Sequence, residues 1–581
     1  MPAPRLDLIR RYLWPHRRTL LLGVLALLVV NGLGVTIPLL VRRVVADLQD
    51  GFSYGKVLGQ AGWIIALATA MAAVRLLSRM LVFGVGRQVE VDLRQRLFDH
   101  LLRQEPAWVQ ATSSGEVLSR ATSDVENVRR LLGFAVLSLT NTVLAYGLTL
   151  PAMLLIDPWL SLAAVALYPL MLLSVRRFGG RMMREQRRQQ EALADLTNLL
   201  QEDLSGISAI KIYGQEPVEE RAFAVSNAAY RDAALGPARS RSVLFPLIEG
   251  IASISLLVLL GLGSTQLESG RLSIGDLVAL ILYVERLVFP TALLGFTLNT
   301  FQTGQVSLER VEALLRRQPQ IVSPERPRPL AGRARGDLEA RGLTIHYPGR
   351  PQPVLANLWF HIQPGELVAL VGPVGCGKST LARAIGRMVE LPAGQLFLDG
   401  LDVTTLGLTD LRRQVALVPQ EGFLFTASLA DNLRYGDPDA AMEAVEEAAR
   451  LAQLAPDIRG FPDGYQTLVG ERGITLSGGQ RQRTALGRAL LMDSAILVLD
   501  DALASVDNRT AADILRAVRD QHQRTVILIS HQLSAAAACD RILVMEEGRI
   551  VQEGRHQELV VAEGTYRRLW EREQAEQLQT A

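Results

Sequence analysis

Of the 61 basic residues in this chain only Lys56, Lys211 and Lys378 are lysines; the rest are arginines. Cysteine is as scarce, with Cys376 and Cys539 alone, both in the second half. Two such thiols exclude a disulfide framework and assign that half to a reducing cytosol. A strong net charge is missing too: the formal value is +2, which excludes a nucleic-acid partner held by bulk charge. What the chain has in plenty is apolar sequence. It is 49% hydrophobic with a mean hydropathy of +0.19, too greasy over 581 residues for a purely soluble protein.

A chain that uses arginine almost everywhere has kept a lysine in the run Gly372-Pro-Val-Gly-Cys-Gly-Lys-Ser-Thr380. The reason is shape. A glycine-rich loop between strand and helix turns its backbone N–H groups around a phosphate, and a slim ammonium reaches where a planar guanidinium clashes. The run fits the P-loop pattern G-x-x-x-x-G-K-[ST], which places Ser379 to ligate Mg²⁺.

The apolar sequence is concentrated in six segments of the first half, at about 20–41, 57–77, 131–156, 160–175, 243–262 and 274–298. Each approaches or exceeds the roughly 20 residues that cross a bilayer, although the fourth is short. Arginine is dense in the connections 86–130 and 176–242 and sparse at Asp157-Pro158 and around 264–272. By the positive-inside rule both long connections and both termini are cytoplasmic, with Arg42 and Arg43 breaking the pattern at the first outer loop. Residues 4–19, with five arginines around Leu6, Leu8, Ile9, Leu13 and Trp14, resemble the charged start of a signal peptide, but the apolar stretch that follows is too long for one. They read instead as an amphipathic helix on the inner membrane face.

The long connections are rich in helix formers, so membrane helices are expected to continue into the cytosol. Within them 114–120 and 213–220 mark the turns of two hairpins, either plain tips or contact elements. Residues 324–336, with Pro324, Pro327 and Pro329, read as a linker between a transmembrane domain at 1–323 and a nucleotide-binding domain at 337–581. Beyond the linker strand-like runs at 367–371, 415–418, 496–499 and 525–529, and a hairpin at 541–551, alternate with helical sequence. The expectation is an α/β domain on a mainly parallel sheet.

The run Ala495-Ile-Leu-Val-Leu-Asp500 is a buried strand ending in a carboxylate that can hold Mg²⁺ beside Ser379. Before it, Leu476-Ser-Gly-Gly-Gln480 has the S-x-x-Q spacing of a capping box, with two glycines leaving backbone N–H groups open to an anion.

Walker A, LSGGQ and Walker B in this order, behind six spans, closely resemble an ATP-binding cassette (ABC) exporter half-transporter of the multidrug, lipid and peptide type. The resemblance covers essentially the whole chain. It implies a six-span α-helical transmembrane domain followed by an α/β P-loop cassette with a helical subdomain, in the bacterial inner membrane with the cassette in the cytoplasm. It also implies a dimer with a second half-transporter, in which ATP with Mg²⁺ is bound between one chain's Walker motifs and the other's LSGGQ. On this chain Gly372, Gly375, Cys376, Gly377, Lys378, Ser379 and Thr380 would contact ATP, and Tyr347 would stack on adenine. Ser477, Gly478, Gly479 and Gln480 would face the partner's ATP, Asp507 would form the D-loop, and His531 would stand near the γ-phosphate. Gln420 would touch Mg²⁺ or water as the Q-loop, beside Ser379 and Asp500 as metal ligands, and the tips at 114–120 and 213–220 would be coupling helices.

One position departs from the family pattern. The family carries Glu after the Walker B Asp to polarise the attacking water, and here that residue is Asp501. It is shorter by one methylene, about 1.3 Å, and a 1 Å misplacement can cost on the order of 10²-fold in rate. Either the backbone adjusts or the site is degenerate, binding ATP and hydrolysing it slowly. The degenerate reading is preferred, and Leu468, in a stretch where the family's exporters carry Glu, is a smaller departure. LSGGQ is intact, so a heterodimer with a chain that carries the Glu is preferred to a homodimer. Inside the spans Glu285 and Arg286, about 100° apart on a helix, either line a polar substrate cavity or pair between helices. The resulting expectation is an ATP-driven exporter of hydrophobic or amphipathic drugs, lipids or peptides among membrane lipids. A homodimeric lipid flippase and a nucleotide-gated channel or regulatory subunit are the alternatives.

Overall fold

The computed structural model describes residues 6–50, 54–347, 349–470, 473, 475–506, 508–520 and 524–580. They form two compact units, Met1–Leu102 with Ser113–Arg317, and Arg103–Thr112 with Gln318–Ala581.

The first unit contains six helices long and apolar enough to cross a membrane: Asp7–Gln49, Tyr54–Leu101, Ser114–Ile156, Pro158–Ser205, Glu216–Glu268 and Ile274–Leu315. The shortest has 42 residues, about 63 Å at 1.5 Å per residue, which is twice the hydrocarbon thickness of a bilayer. The helices therefore run well past their apolar segments, as their helix-forming composition requires. The fourth is interrupted at Ala166 and Leu167, between Pro158–Val165 and Tyr168–Ser205, because Pro169 is accepted only in the first turn of a new helix.

At the N-terminus the helix Leu6–Leu13 precedes a 3₁₀ turn, Trp14–His16, where Arg10 and Arg17 stand over the Trp14 ring. Buried Tyr12 donates its hydroxyl to the carboxylate of Glu312 on the sixth helix. Arg42, the exception to the arginine pattern, is paired: its Nε lies 2.5 Å from Asp276 Oδ1 at the start of that helix. Asp276 also completes a capping box with Ser273.

The first hairpin turn lies elsewhere than expected. Residues 114–119 are helical, and the chain reverses over 102–113 around the short helix Pro106–Ala111. Ser114-Gly115 has the composition of a turn, but Glu105-Pro106 provides an extended residue followed by a proline at the first helical position. This segment belongs to the second unit, where Glu105 accepts from the backbone N–H groups of Gln320 and Ile321. The second turn falls inside the expected run, at Gly214, whose φ of 61° only glycine adopts freely.

Among its described residues the second unit has ten strands: β1 Leu338–Ile345, β2 Leu355–Ile362, β3 Leu367–Val371, β4 Leu396–Leu398, β5 Leu401–Asp402, β6 Val415–Val418, β7 Ile496–Asp500, β8 Thr525–Ile529, β9 Arg541–Glu546 and β10 Arg549–Gly554. Six form a sheet in the order β10-β9-β3-β8-β7-β6, parallel except for the edge strand β10. Strands β3, β7 and β8 are buried along their whole length, which is why their sequences are unbroken apolar runs. The other four form an antiparallel sheet, β2-β1-β4-β5. Between β6 and β7 a helical region packs around its own core of Leu424, Leu429, Leu433, Val445 and Ile458.

The units divide at Arg317/Gln318, a few residues before the proline-rich stretch. That stretch is ordered against the second unit. Arg328 N–H donates to Thr405 O at 2.9 Å, and the Asp399 carboxylate accepts from the N–H groups of Arg335, Gly336 and Asp337.

Candidate functional site

The glycine-rich loop joins β3 to the helix Lys378–Ile385, and its glycines are required by space as well as by angle. Gly372 has φ 152° and a Cβ there would lie 2.0 Å from Met545 O; Gly377 has φ 109° and would meet Val354 O at 3.0 Å. The backbone of the loop is thus pressed against β9 and the end of the loop before β2. Lys378 is buried and folds over the same loop, its Nζ donating to Gly372 O at 2.8 Å and to Pro373 O at 2.9 Å. Its Nζ also lies 3.8 Å from Cys376 Sγ, and Gly375 takes a left-handed φ of 83°. Thr380 is buried one turn into the helix.

The parallel pairing of β7 with β8, and of β8 with β3, brings the end of β7 beside this loop. Ser379 Oγ donates to Asp500 Oδ1 at 3.0 Å. Burial raises the Asp500 carboxyl above the usual carboxylate range, and Asp501 next to it adds to the rise; the Ser379 hydroxyl, Arg383 and Lys378 act the other way. A hydroxyl and a buried carboxylate are the hard oxygen donors that suit Mg²⁺. Among the described residues no group of three or more His, Cys, Asp or Glu could hold a metal, so phosphate and water would supply the remaining ligands. The residues present fit ATP with Mg²⁺: Ser379 and Asp500 would hold the ion, the loop N–H groups and Lys378 the phosphates. Bound there, Mg²⁺ would neutralise charge on the transferred phosphate.

Gln420 and Asp501 are brought together, the Gln420 Nε2 lying 3.5 Å from Asp501 Oδ2. Asp501 is buried and has φ 53°, a left-handed conformation that Asp tolerates better than most residues. Its N–H donates to Ile529 O at 2.9 Å, tying the residue to the end of β8. His531, two residues beyond Ile529, is exposed and has no hydrogen-bond partner among the described residues. Tyr347 is half-buried against the apolar core around β1 and β2, with its hydroxyl buried and without a partner among the described residues. Asp507 lies outside the described residues.

Ser477 caps the helix Gly478–Leu491, and the box is complete: Gln480 N–H donates to Ser477 Oγ at 3.2 Å and Ser477 N–H to Gln480 Oε1 at 3.0 Å. Gln480 Nε2 also donates to Asp457 Oδ1 at 2.9 Å. The glycine at 479 is explained by a neighbour, since a Cβ there would lie 2.8 Å from Ser505 O; Gly478 also faces Ser505. Gln482, which the sequence did not single out, links three motifs. Its Nε2 donates to Gln420 O at 3.3 Å and its Oε1 accepts from Ser505 N–H at 3.0 Å. Its only sequence signal is its place one turn into the capped helix.

Within the first unit Glu285 is exposed, and Arg286 is half-buried against the first span. The Nη2 of Arg286 donates to Asn31 Oδ1 at 3.1 Å. The two side chains point apart, as their adjacency on a helix requires.

The chain matches the model of the ABC transporter transmembrane region over residues 20–291 and that of the ABC transporter domain over residues 355–504. It is 33% identical to the multidrug resistance-like ATP-binding protein MdlA of Escherichia coli (strain K12), over 96% of this chain and 94% of that protein. It is 37% identical to an ATP-dependent lipid A-core flippase of Aromatoleum aromaticum, over 82% of this chain and 79% of that one. Its fold matches a bacterial Atm1-family ABC exporter solved with ATP bound, with a TM-score of 0.77 and 26% identity over 97% of this chain and 98% of the other. Six membrane-spanning helices, the paired Ser379 and Asp500, the capped LSGGQ helix and these likenesses lead to one assignment: the chain belongs to the ABC transporter family, as an ATP-driven exporter with a transmembrane and a nucleotide-binding domain on one polypeptide.

Proposed function

We propose that this chain is one half of a heterodimeric exporter. Its own Walker site binds ATP and hydrolyses it slowly, while its LSGGQ completes a fast site on the partner. The observation that carries this is Asp501. Its carboxylate reaches the Gln420 amide only at 3.5 Å, the outer limit of a hydrogen bond, whereas the Ser477–Gln480 cap is intact at 3.0 and 3.2 Å. A short carboxylate in the position that should orient water leaves a site able to clamp ATP by Lys378, Ser379 and Asp500 but poor at cleaving it. The bound ATP at this site then serves to hold the dimer closed.

The arginine-rich connections support a cytoplasmic position for both termini and the cassette, and a bacterial inner membrane suits a chain whose relatives are bacterial. The cargo is a hydrophobic or amphipathic molecule, a drug, lipid or peptide, taken from the cytoplasm or the inner leaflet. Such a chemistry agrees with relatives named for multidrug resistance and for lipid A-core flipping.

The test is ATP hydrolysis by the assembled pair carrying Gln in place of the Glu that follows the partner's Walker B Asp. Loss of nearly all turnover is expected. Turnover that survives this change, or an active transporter assembled from this chain alone, sinks the asymmetric reading.

A further inference from the structure

The sixth membrane helix carries a cation that has no counter-charge among the described residues. Arg286 lies twelve residues after Ile274, about 18 Å along the helix and so near the middle of a roughly 30 Å hydrocarbon layer. A charge at that depth is costly and ordinarily finds an opposite charge or a water-filled cavity. Arg286 finds no carboxylate within ion-pair distance among the described residues. Its hydrogen bonds go to one neutral residue, buried Asn31 of the first span, at 3.1 Å to Oδ1 and 3.4 Å to the carbonyl, and its Nε is buried with no partner among the described residues. Asn31 is held in turn, its Nδ2 donating to Leu27 O at 2.9 Å and to Asn141 Oδ1 of the third span at 3.1 Å.

The other side chains facing this point add no negative charge. Tyr283 spends its hydroxyl on Val35 O at 2.7 Å, and Glu285 is exposed on a different face of the helix. The charge close enough to act on Arg286 is another arginine, Arg75 of the second span. The packing of Gly23 against Val82 fixes the antiparallel register of the first two spans and puts Arg75 opposite residue 30, at the level of Asn31. Among the described residues neither Arg75 nor Arg79, one turn further, has an ion-pair partner. The position of the guanidinium is also built. A Cβ on Gly34 would fall 1.8 to 2.1 Å from its Nη1, Cζ and Nη2, so only glycine leaves room for it.

We infer that Arg286, seated on Gly34 and Asn31 and supported by Arg75, is an anion subsite in the transport path, and that the cargo is an amphipath bearing a phosphate or carboxylate. A planar fork with an unused N–H edge suits a two-oxygen anion better than it suits a neutral drug. The apolar surroundings in the spans suit an acyl or aryl tail. This inference rests on the reading of the chain as an exporter of amphipaths. Binding is therefore measured without nucleotide, where a slow or silent ATP site has no influence.

The assembled transporter in phosphatidylcholine nanodiscs is titrated with three radiolabelled probes: myristoyl lysophosphatidate, myristoyl lysophosphatidylcholine and glycerol 3-phosphate, each corrected for empty nanodiscs. The native protein should bind the lysophosphatidate about tenfold or more tighter than the choline ester with the same tail, the ratio expected for a charge-assisted hydrogen-bonded contact. Arg286→Gln should bring the two probes within about twofold by removing that contact. Gly34→Ala should do the same with the charge retained, because the new Cβ meets only the mobile end of the arginine and leaves the helix able to fold. No preference in the native protein, or a preference that survives Arg286→Gln and Gly34→Ala, overturns the subsite. Glycerol 3-phosphate binding as tightly as the lysophosphatidate overturns the amphipathic cargo and assigns the anion to a soluble ligand.

Discussion

Replacing Asp501 by Glu should accelerate hydrolysis and weaken the fold at the same time, because two features of this residue pull in opposite directions. The added methylene carries the carboxylate about 1.3 Å further, enough to reposition a group now 3.5 Å from Gln420 Nε2. Misplacement on that scale is worth on the order of 10²-fold, so hydrolysis at this site should rise by between about 10- and 100-fold. Against this, φ at 501 is 53°, and the left-handed region costs a residue without a short polar side chain roughly 1–2 kcal/mol. Asp already bears part of that cost, which leaves a loss of about 1 kcal/mol, or a fall of some 2–4 °C in the melting of a cassette of this size. The assay is single-turnover cleavage of radiolabelled ATP with the partner's site disabled, paired with a thermal melt of the same preparation. Asp501→Asn is the control: it keeps the tolerance for left-handed backbone and removes the carboxylate, so it should leave the melt nearly unchanged and cleavage no faster. If Asp501→Glu cleaves no faster than the native chain while folding normally, side-chain reach is not what limits this site and the argument from length is wrong.

Asp500→Asn is expected to stabilise the Mg²⁺-free cassette increasingly as pH rises above the ordinary carboxylate range. Burial raises the carboxyl above its unfolded value, so the native state holds the proton more tightly, and its stability declines as pH rises from the unfolded pKa through the raised one. A stability difference between Asp500→Asn and the native chain that does not change with pH, read by denaturant melts across the acid-to-neutral range, would contradict this. Gly479→Ala should cost about 1–3 kcal/mol, since its Cβ would lie 2.8 Å from backbone at Ser505; chemical denaturation measures it, and a neutral result means that the two segments separate easily. Cys539, whose thiol burial pushes up to about 12, should resist maleimide at pH 8 in the native protein and react once unfolded, which mass spectrometry reads directly.

Much of this molecule is legible in its residue order because local rules and tertiary packing agree. The runs that became β3, β7 and β8 are apolar throughout, and being buried on both faces is what makes them so. Ser477 and Gln480 announce a capping box, and the box is formed. The antiparallel sheet was not legible, because β4 and β5 have only three and two residues and β1 changes register between Ala340 and Leu343. Nor was the fixing of the proline-rich stretch, which depends on distant partners, Thr405 O accepting from Arg328 N–H and the Asp399 carboxylate gathering three backbone N–H groups. In the site Ser379 and Asp500, each read from its own run, are brought together, whereas Gln482 was missed. Its role arises from what the Q-loop and Ser505 present to it, and no spacing in the chain encodes that.

The pairing of Arg42 with Asp276 sets an order on the making of this protein. In the proposed topology Arg42 and Arg43 lie on the outer side of the first span, so they would be moved across the membrane while Asp276, the counter-ion of Arg42, has yet to be translated. At 5–20 residues per second the ribosome reaches Asp276 on the order of ten seconds or more later. For that interval Arg42 and Arg43 work against the proposed orientation of the first helix, and the basic N-terminal segment works for it. The ion pair is the event that ends the interval, locking the earliest inserted helix to the last.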